Sequence, residues 1–398
     1  MKTPHPGYTQ RPAAGVDIEV FTHGDTERCR MSPLNNRERF AHLFNGECVD
    51  RAPFLDIMGF WNSSLERWKQ EGLSQDATPA TVRRLVGFDS RRGFYLPVKA
   101  FIWPEFEPQV IRRDGDKFYT RNCWGAIEEN ITGSELMSIT IEGPVTDRKS
   151  WEQIKARLDP DTPGRLPRDW LDMCAQARES GETVYAGDLP IGFFGGVREL
   201  LGFEHQATLF YDDPSLMEDI LDTLCDLWIK VFTRVQQDIV LDWFFIWEDM
   251  CYKGGSLISS RLFRRFLLPR YQRLTAAVRG AGCLHIMVDS DGDERPLVPL
   301  WLEGGVNIVF PWETQFGLDI TAVRCQYPTL GMIGGMNKYA LALGREAIDK
   351  ELAKLPFMLE QGRFIPGLDH GVPNDVSWDN YRYFYDHMRE LIYKYPPA

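Results

Sequence analysis

The sequence lacks several features that would assign it to whole classes of protein. Its eight cysteines form no C-x-x-C pair, which favours a reduced protein in which most thiols serve as small core residues. No apolar run is long enough to span a bilayer, and no N-terminal apolar segment is typical of a signal peptide. We therefore expect a cytoplasmic protein with no membrane partner.

Positive charge is scarce relative to negative charge. The chain carries 45 Lys and Arg residues against 57 Asp and Glu residues, a formal net charge of −12. That balance disfavours nucleic acid or an anionic membrane surface as the main partner. One basic run, RLFRRFLLPR, places Arg264, Arg265 and Arg270 on a helix, and on so acidic a chain we interpret it as a solvated or ion-paired face.

The chain divides into a short arm and one large domain. Residues 1–31 are rich in proline, glycine and charge, which predicts a flexible N-terminal arm, and we predict a single domain over residues 32–398. Within it, Asp114 and Gly115 stand between two β-prone runs. This pair predicts an antiparallel hairpin excursion near residues 105–145.

Short apolar segments alternate with long amphipathic helices over most of the domain. Continuous apolar strands that alternate with helices predict a parallel sheet covered on both faces. Eight such units fit an α/β fold of the (β/α)8 TIM-barrel type. A doubly wound open sheet is the alternative, and no Gly-rich phosphate loop favours it. The strand candidates are PFLDIM, RRGFYLPV, TVYAGDLP, DWFFIWED, LHIMVD, VNIVFPWE, TLGMIGGMN and RFIPGLDHG.

Polar side chains recur where the predicted strands end. In a barrel the carboxyl ends of the strands converge on one face, where active sites lie, so these residues predict a lined polar pocket. Each of them taken singly could instead cap a helix or start a turn. They are Asp56, Asp188, Glu248, Asp249, His285, Asp289, Asp291, Glu313, Asn337, Lys338, Asp369 and His370.

The stretch HIMVDSDGDE concentrates such residues. Asp289 and Asp291 are two positions apart, so in an extended chain both side chains point the same way, which suits a metal ion or an acid–base pair. His285 is interpreted either as an interior histidine bonded to a carboxylate or as a metal ligand or general acid–base residue. Asp293 and Glu294 are expected to be solvated at the start of the next helix.

The apolar run FFIW precedes a second group of candidates. Glu248 stands at the end of this run and needs a partner if it is buried. Tyr252 and Lys253 follow closely and are candidates to orient a substrate. Trp247 is interpreted as either a core residue or a pocket wall.

Several long motifs resemble the uroporphyrinogen decarboxylase superfamily. NRERFAHLFNGECVDRAPF, WEDMCYKGGSLISSRLFRRFLLPRYQRL and HIMVDSDG are similar to it, as are GGMNK, GREAIDKEL and GRFIPGLDHGVPNDVSWDNYRYF. The likeness covers residues 32–396 and implies a single barrel domain. One branch of the superfamily decarboxylates the acetate arms of a tetrapyrrole without a cofactor. The other contains zinc-dependent methyltransferases that move methyl groups to or from a corrinoid protein.

The chain departs from both branches. The decarboxylases hold substrate carboxylates with an arginine-rich signature after the first strand, whereas no arginine lies between Arg51 and Arg67 here. The methyltransferases bind zinc through His-x-Cys and a later cysteine. Here the first motif reads His285-Ile286-Met287, and the place of the later cysteine reads LDHG.

We therefore expect an enzyme that passes a methyl group between a small molecule and a separate corrinoid protein, since the chain has no Asp-x-His-x-x-Gly motif for a cobamide. The alternatives are a cofactor-free decarboxylase of another carboxylic acid and a non-enzymatic scaffold, which the density of polar strand ends disfavours. A divalent metal ion is expected on His285, Glu248 and His370, with zinc as the first choice. The chain is also a candidate to form a homodimer. The expected catalytic residues are His285, Asp289, Glu248, His370 and Asp56, and the expected substrate-binding residues are Asp188, Trp247, Tyr252, Lys253, Asp291, Glu313, Asn337 and Asp369.

Overall fold

The structure, a computed structural model, describes residues 33–135 and 138–397. The arm predicted over residues 1–31 lies outside them. The strands are β1 (Phe94–Tyr95), β2 (Gln109–Asp114), β3 (Lys117–Arg121), β4 (Ile127–Ile131), β5 (Ile139–Glu142), β6 (Val184–Gly187), β7 (Trp243–Trp247), β8 (Cys251–Tyr252), β9 (Gly255–Ser256), β10 (His285–Asp289), β11 (Ile308–Phe310), β12 (Gly331–Met336) and β13 (Phe364–Leu368).

Helices alternate with these strands over most of the described chain, and a π-helical turn (Phe263–Leu267) joins α9 to α10. The helices are α1 (Asn36–Asn45), α2 (Asn62–Gln70), α3 (Pro79–Val86), α4 (Arg148–Lys155), α5 (Trp170–Glu179), α6 (Gly195–Leu201), α7 (Phe203–Asp212), α8 (Pro214–Asp238), α9 (Ser260–Leu262), α10 (Leu268–Gly280), α11 (Val298–Glu303), α12 (Ile320–Gln326), α13 (Tyr339–Leu343), α14 (Arg345–Leu352), α15 (Leu355–Glu360) and α16 (Trp378–Lys394).

The described chain forms a curled parallel sheet of seven strands, in the order β1-β6-β7-β10-β11-β12-β13. The predicted TIM-barrel-like α/β fold is confirmed. The first of the eight predicted strands, PFLDIM, forms only an isolated parallel bridge from Leu55 to Ser90, and a second bridge joins Phe60, just beyond it, to Val372. Pro53 cannot donate to a strand ladder, and Gly59 turns the chain at a φ of 67°, so no continuous strand forms between the two edges of the sheet.

The antiparallel excursion is also confirmed, as the four-stranded sheet β2-β3-β4-β5. Asp114 pairs with Lys117, and Gly115 takes a φ of 63° in the turn between them. The sheet is attached to the barrel through Glu199 of α6, which is buried and accepts the Thr140 hydroxyl of β5 at 3.1 Å. The excursion therefore packs beside the barrel and is not part of its sheet.

The basic run of α9 and α10 is ion-paired, as the charge balance predicts. Arg265 lies 3.2 Å from Glu218, and Arg270 binds both carboxylate oxygens of Asp222. These contacts join this segment to α8 and pair its positive charges with carboxylates of the same protein. Within the described residues, no helix is both long and apolar enough to cross a membrane.

The barrel interior is apolar below its carboxyl end. Along β10, Ile286 and Val288 pack toward the helices, whereas His285, Met287 and Asp289 point inward, because side chains alternate along a strand. A strand rises about 3.3 Å per residue, which places His285 roughly 13 Å from Asp289, at the amino end of the barrel. The two residues therefore occupy opposite ends of the barrel interior.

Helix α1 closes this amino end. The Phe40 and Phe44 rings lie 5.7 Å and 5.9 Å from the His285 ring, and Phe40 also stacks on Trp243 at 6.3 Å. His285 is buried, its Nδ1 has no hydrogen-bond partner, and burial lowers its pKa to about 4, with the charges of Arg279 and Arg363 adding to that effect. His285 is thus a neutral packing residue at neutral pH.

We expect His285→Leu to make the protein less sensitive to acid. The folded-state pKa of about 4 lies below the unfolded value of 6.5, so the unfolded chain takes up the proton first as the pH falls. Wild-type stability is therefore lost between pH 6.5 and 4, by on the order of 2 kcal/mol from pH 7 to pH 5. Urea unfolding at these two pH values measures the loss, which the variant should largely lack. Equal acid sensitivity in both proteins would contradict this role for His285.

Candidate active site

Polar side chains gather at the carboxyl end of the barrel. Because all neighbouring strands of the main sheet are parallel, the residues that follow them meet at one end. The structure brings together there Asp188 after β6, Glu248 and Asp249 after β7, Asp289 and Asp291 at the end of β10, Glu313 after β11, Asn337 and Lys338 after β12, and Asp369 and His370 after β13.

Backbone hydrogen bonds join the loops after β7 and β10. The N–H groups of Glu248 and Asp249 both donate to the carbonyl of Asp289, at 2.9 Å and 3.4 Å, and the Met250 N–H donates to the Ser290 hydroxyl at 3.1 Å. Asp249 takes a φ of 41°, a left-handed conformation that is costly for a residue other than glycine. These contacts fix the Asp249 carboxylate beside the end of β10.

The result is a carboxylate triad formed by Asp249, Asp289 and Asp291. One carboxylate oxygen from each lies within 4.8 Å of the other two, and no other group of three metal-ligating side chains this close occurs among the described residues. Burial and then the charges of Asp249 and Asp291 raise the pKa of Asp289 well above its usual value. Burial, with the charges of Asp249 and Glu313, raises the pKa of Asp291 to about 8. Repulsion between like charges opposes full ionisation of this triad.

Glu313 and Asp369 form a second acidic pair that joins three loops. Asp369 is fully buried and accepts the N–H groups of Lys338 at 3.0 Å and Thr314 at 3.3 Å. Glu313 accepts the Gly292 N–H at 2.8 Å. Burial raises the pKa of Asp369 to about 7 against the opposing effect of the nearby Lys338. The carboxyl group of Asp369 is therefore available both as an acid and as a base near neutral pH.

Gly292 permits the loop after β10 to pack closely against β8. Its φ is 91°, and a Cβ atom at this position would lie 2.6 Å from the backbone nitrogen of Tyr252. Only glycine fits both conditions. The glycine therefore holds Asp291 between β8 and the Glu313 carboxylate.

His370 has a defined tautomer. Its Nδ1 accepts the N–H of Gly371 at 2.8 Å, so in the neutral ring the proton is on Nε2, which lies 3.8 Å from a carboxylate oxygen of Asp291. Burial, and then the charge of Lys338, lowers the pKa of His370 to about 4. At neutral pH this ring presents an N–H donor toward Asp291.

Glu248 is a structural residue of the site. It is fully buried and accepts the N–H groups of Phe193, Phe194 and Gly195 at 2.6–2.9 Å, together with the hydroxyl of Tyr271. Burial raises its pKa, which these hydrogen bonds partly oppose. Its oxygens are occupied by four donors and are not directed at the cluster of acids.

The three residues expected to bind a metal are therefore not brought together. His285 lies at the amino end of the barrel, the Glu248 oxygens are saturated, and only His370 reaches the carboxyl end. Zinc with nitrogen and sulfur ligands does not fit the residues that do converge, because the triad offers carboxylate oxygens alone.

Asp56, expected to be catalytic, is not brought to the mouth. Leu55 and Ile57 on either side of it face the barrel interior, so Asp56 points outward, where its buried carboxylate lies 3.5 Å from Arg83 of α3 and burial raises its pKa. Asp188 has a φ of 91° and lies 4.0 Å from Arg92.

The remaining residues predicted to bind substrate lie in different surroundings. Trp247 is buried, and the Arg198 guanidinium lies over its ring at 4.8 Å. Tyr252 and Lys253 are exposed on the small β8–β9 hairpin. The side chain of Asn337 accepts the N–H of Tyr339 at 2.9 Å and therefore serves the turn into α13.

Sequence reasoning missed several residues of the site. Glu294, expected to be solvated, is fully buried, so that interpretation is wrong. Two arginines also lie at the site: Arg92 packs over the Phe245 and Phe310 rings at 5.9 Å, and Arg198 lies 3.8 Å from Asp249. Neither arginine belongs to a sequence motif, so only the folded chain shows that they face the mouth.

We expect Glu248→Ala to destabilise the protein by about 3–5 kcal/mol, because it leaves three buried N–H groups and a hydroxyl without an acceptor. Tyr271→Phe removes one of these hydrogen bonds and should cost about 1–2 kcal/mol. Urea unfolding monitored by circular dichroism measures both losses. A Glu248→Ala protein as stable as wild type would contradict the structural role.

We expect Asp369→Asn to make the free energy of unfolding depend less on pH between pH 5 and pH 8. The folded-state pKa of about 7 exceeds the usual 3.8, so the stability from the protonated form is complete below pH 3.8 and is lost as the pH rises through 7. The wild type should lose on the order of 2 kcal/mol more than the variant between pH 5 and 8. Urea unfolding at the two pH values measures this difference. The exposed Asp161→Asn serves as the control and should keep the wild-type slope.

Comparison with solved structures places the fold among known barrels. A methyltransferase from Methanosarcina mazei matches with a TM-score of 0.58 over 90% of this chain and 99% of that chain, at 15% sequence identity. At that identity the likeness concerns the fold alone. Xylanase B from Clostridium stercorarium F9 matches at 15% identity with a TM-score of 0.31, over 60% of this chain and 86% of that chain, which is too low to carry an argument. No curated protein matches the chain.

The family model described as uroporphyrinogen decarboxylase (URO-D) matches residues 139–391, which is more than half of the chain. The matched range includes β6 to β13 and every residue of the carboxylate triad. The family that the motifs resemble is thus the one whose model fits the barrel and its acidic mouth, and the chain belongs to the uroporphyrinogen decarboxylase family.

Proposed function

We propose that the protein is an enzyme that transfers a methyl group from a small methoxylated or methylated molecule to a corrinoid carried by a separate protein. The observation that carries this proposal is the charge of the mouth. Carboxylates outnumber cations there, and the cations Arg92 and Arg198 already face Asp188 and Asp249. Such a mouth repels a substrate with many carboxylates and accepts a neutral or cationic one.

Two groups at the mouth that bear protons support the proposal. In methyl transfer from an ether, the bond between oxygen and the methyl carbon breaks, and its electron pair stays on oxygen, which then requires a proton. The carboxyl group of Asp369 lies at the mouth and can supply this proton, and the Nε2–H of the neutral His370 ring can donate a hydrogen bond to the leaving oxygen. The corrinoid, held by a partner protein, supplies the methyl acceptor.

A methyltransferase from Methanosarcina mazei has this fold, which supports the proposed class of reaction. A decarboxylase of another carboxylic acid is the second candidate. The buried Asp369, with a pKa raised to about 7, favours it, because a neutral carboxylic acid can protonate the carbon left after loss of carbon dioxide. The low number of unpaired cations at the mouth disfavours it.

The two candidates are separated by their products. We expect the purified full chain, incubated without oxygen with cob(I)alamin and a panel of methoxylated and N-methylated compounds, to produce the absorbance change of methylcobalamin. Asp369→Asn should lower the rate about 100-fold, as expected for loss of a general acid, whereas His370→Gln should lower it less, because it alters a hydrogen-bond donor and removes no transferable proton. Asp379→Asn, an exposed site on α16, is the control and should react at the wild-type rate.

Absence of methylcobalamin with every donor, together with release of carbon dioxide from a carboxylic acid, would replace the methyl-transfer proposal by the decarboxylase. Carbon dioxide release that is lost in Asp369→Asn would then assign the proton donor of that reaction.

A further inference from the structure

Among the described residues, one arginine and no lysine lies within ion-pair distance of the carboxylate triad of Asp249, Asp289 and Asp291. Arg198 lies 3.8 Å from Asp249, at the outer side of the triad, and its guanidinium also donates to the Asp249 carbonyl at 3.0 Å. In the part of the chain that the structure describes, the ion pairs of the triad are those of Asp249 with Arg198 and of Asp291 with His370, and none involves Asp289. Protonation or a bound cation therefore has to relieve the repulsion between the three carboxylates.

A second, independent feature is Glu294, three residues beyond the triad. Its side chain is fully buried, and neither carboxylate oxygen has a hydrogen-bond partner. After burial, the charges of Asp289 and Asp291 raise its pKa most, as expected for a carboxyl group close to both of them. A fully buried carboxylate without donors is strongly unfavourable unless it is protonated or faces a cation.

The spacing of the triad matches one metal ion. Carboxylate oxygens bind Ca²⁺ at about 2.3–2.6 Å and Mg²⁺ at about 2.0–2.1 Å, so two oxygens on opposite sides of one ion lie about 4–5 Å apart. The triad oxygens lie within 4.8 Å of one another. One ion can therefore contact all three carboxylates without a change of the backbone.

The donor atoms also select the class of metal. All three are carboxylate oxygens, which suit hard cations, whereas zinc favours histidine nitrogen and cysteine sulfur. The side chain of Asp291 is 41% exposed, so an ion could enter from the mouth and keep water or substrate as further ligands.

We propose that Asp249, Asp289 and Asp291 bind a hard divalent cation of the Mg²⁺, Mn²⁺ or Ca²⁺ class, with Glu294 as a buried carboxylate behind it. The bound ion neutralises the repulsion within the triad, and it gives Glu294 a nearby positive charge. The site does not depend on the methyl-transfer proposal, because binding is measured without any substrate, so either proposal can fail alone.

The test uses the full chain after chelator treatment and dialysis. Mn²⁺ is titrated and followed by electron paramagnetic resonance, with calorimetry for Mg²⁺, Ca²⁺ and Zn²⁺. We expect one saturable Mn²⁺ site, at least tenfold weaker in Asp289→Asn and in Asp291→Asn. Asp293→Asn is a matched control in the same loop, since Asp293 is ion-paired with Arg295 at 2.8 Å, and should bind as the wild type does.

Thermal unfolding tests the part of Glu294. In the chelated protein, Glu294→Gln should raise Tm because it removes an unpaired buried carboxylate, whereas saturating Mn²⁺ should raise Tm more in the wild type than in this variant. Near-ultraviolet circular dichroism checks that each variant keeps its fold.

Three results would overturn the proposal. The first is the absence of saturable Mn²⁺, Mg²⁺ or Ca²⁺ binding at millimolar concentration. The second is binding that the Asp289→Asn and Asp291→Asn changes leave intact. The third is Zn²⁺ binding at the triad with Mn²⁺ excluded, which would contradict the hard-cation assignment.

Discussion

The geometry of the site depends on one buried carboxylate, that of Glu248. It accepts three N–H groups at the start of α6 and the hydroxyl of Tyr271 on α10, so it fixes the end of β7 against two helices. Asp249 follows it directly, and both residues donate their N–H groups to Asp289. The saturation that stabilises Glu248 in a dry environment also leaves it no oxygen for a ligand. The chemistry is therefore left to the residues that Glu248 positions.

Rigid loops hold the acids of the mouth closer together than their charges favour. Backbone hydrogen bonds fix Asp249 beside Asp289, and the Gly292 N–H holds Glu313 near Asp291. Since these groups cannot move apart, repulsion is relieved by protonation or by a cation. Protonation supplies an acid for a leaving group, and a cation supplies a Lewis acid. Both proposals thus have the same physical origin in crowded carboxylates.

The sequence pattern predicted the barrel and the face of each strand on which a side chain lies. It did not predict how far along the barrel axis that side chain lies. Alternation within β10 gives the side of the strand, and His285 does point inward as Asp289 does. The level along the barrel depends instead on where the strand begins, and β10 begins at His285. Glu294 differs from the prediction for a related reason: its neighbours in sequence are polar, whereas the folded chain buries its side chain close to the charges of Asp289 and Asp291. Arg92 and Arg198 come from distant segments and carry no local signal.

The sequence by itself determined the class of the fold, the antiparallel excursion, the ion-paired basic helix and the end of the barrel where polar residues collect. Each of these follows from local patterns of apolar spacing, turn residues and charge. Tertiary structure alone decided which polar residues share a level, which are saturated by backbone donors and which remain unpaired. Those properties depend on contacts between segments far apart in the chain, such as Glu248 with α6 and Asp249 with Asp289. Here they separate the structural Glu248 and His285 from the carboxylates that can act on a ligand.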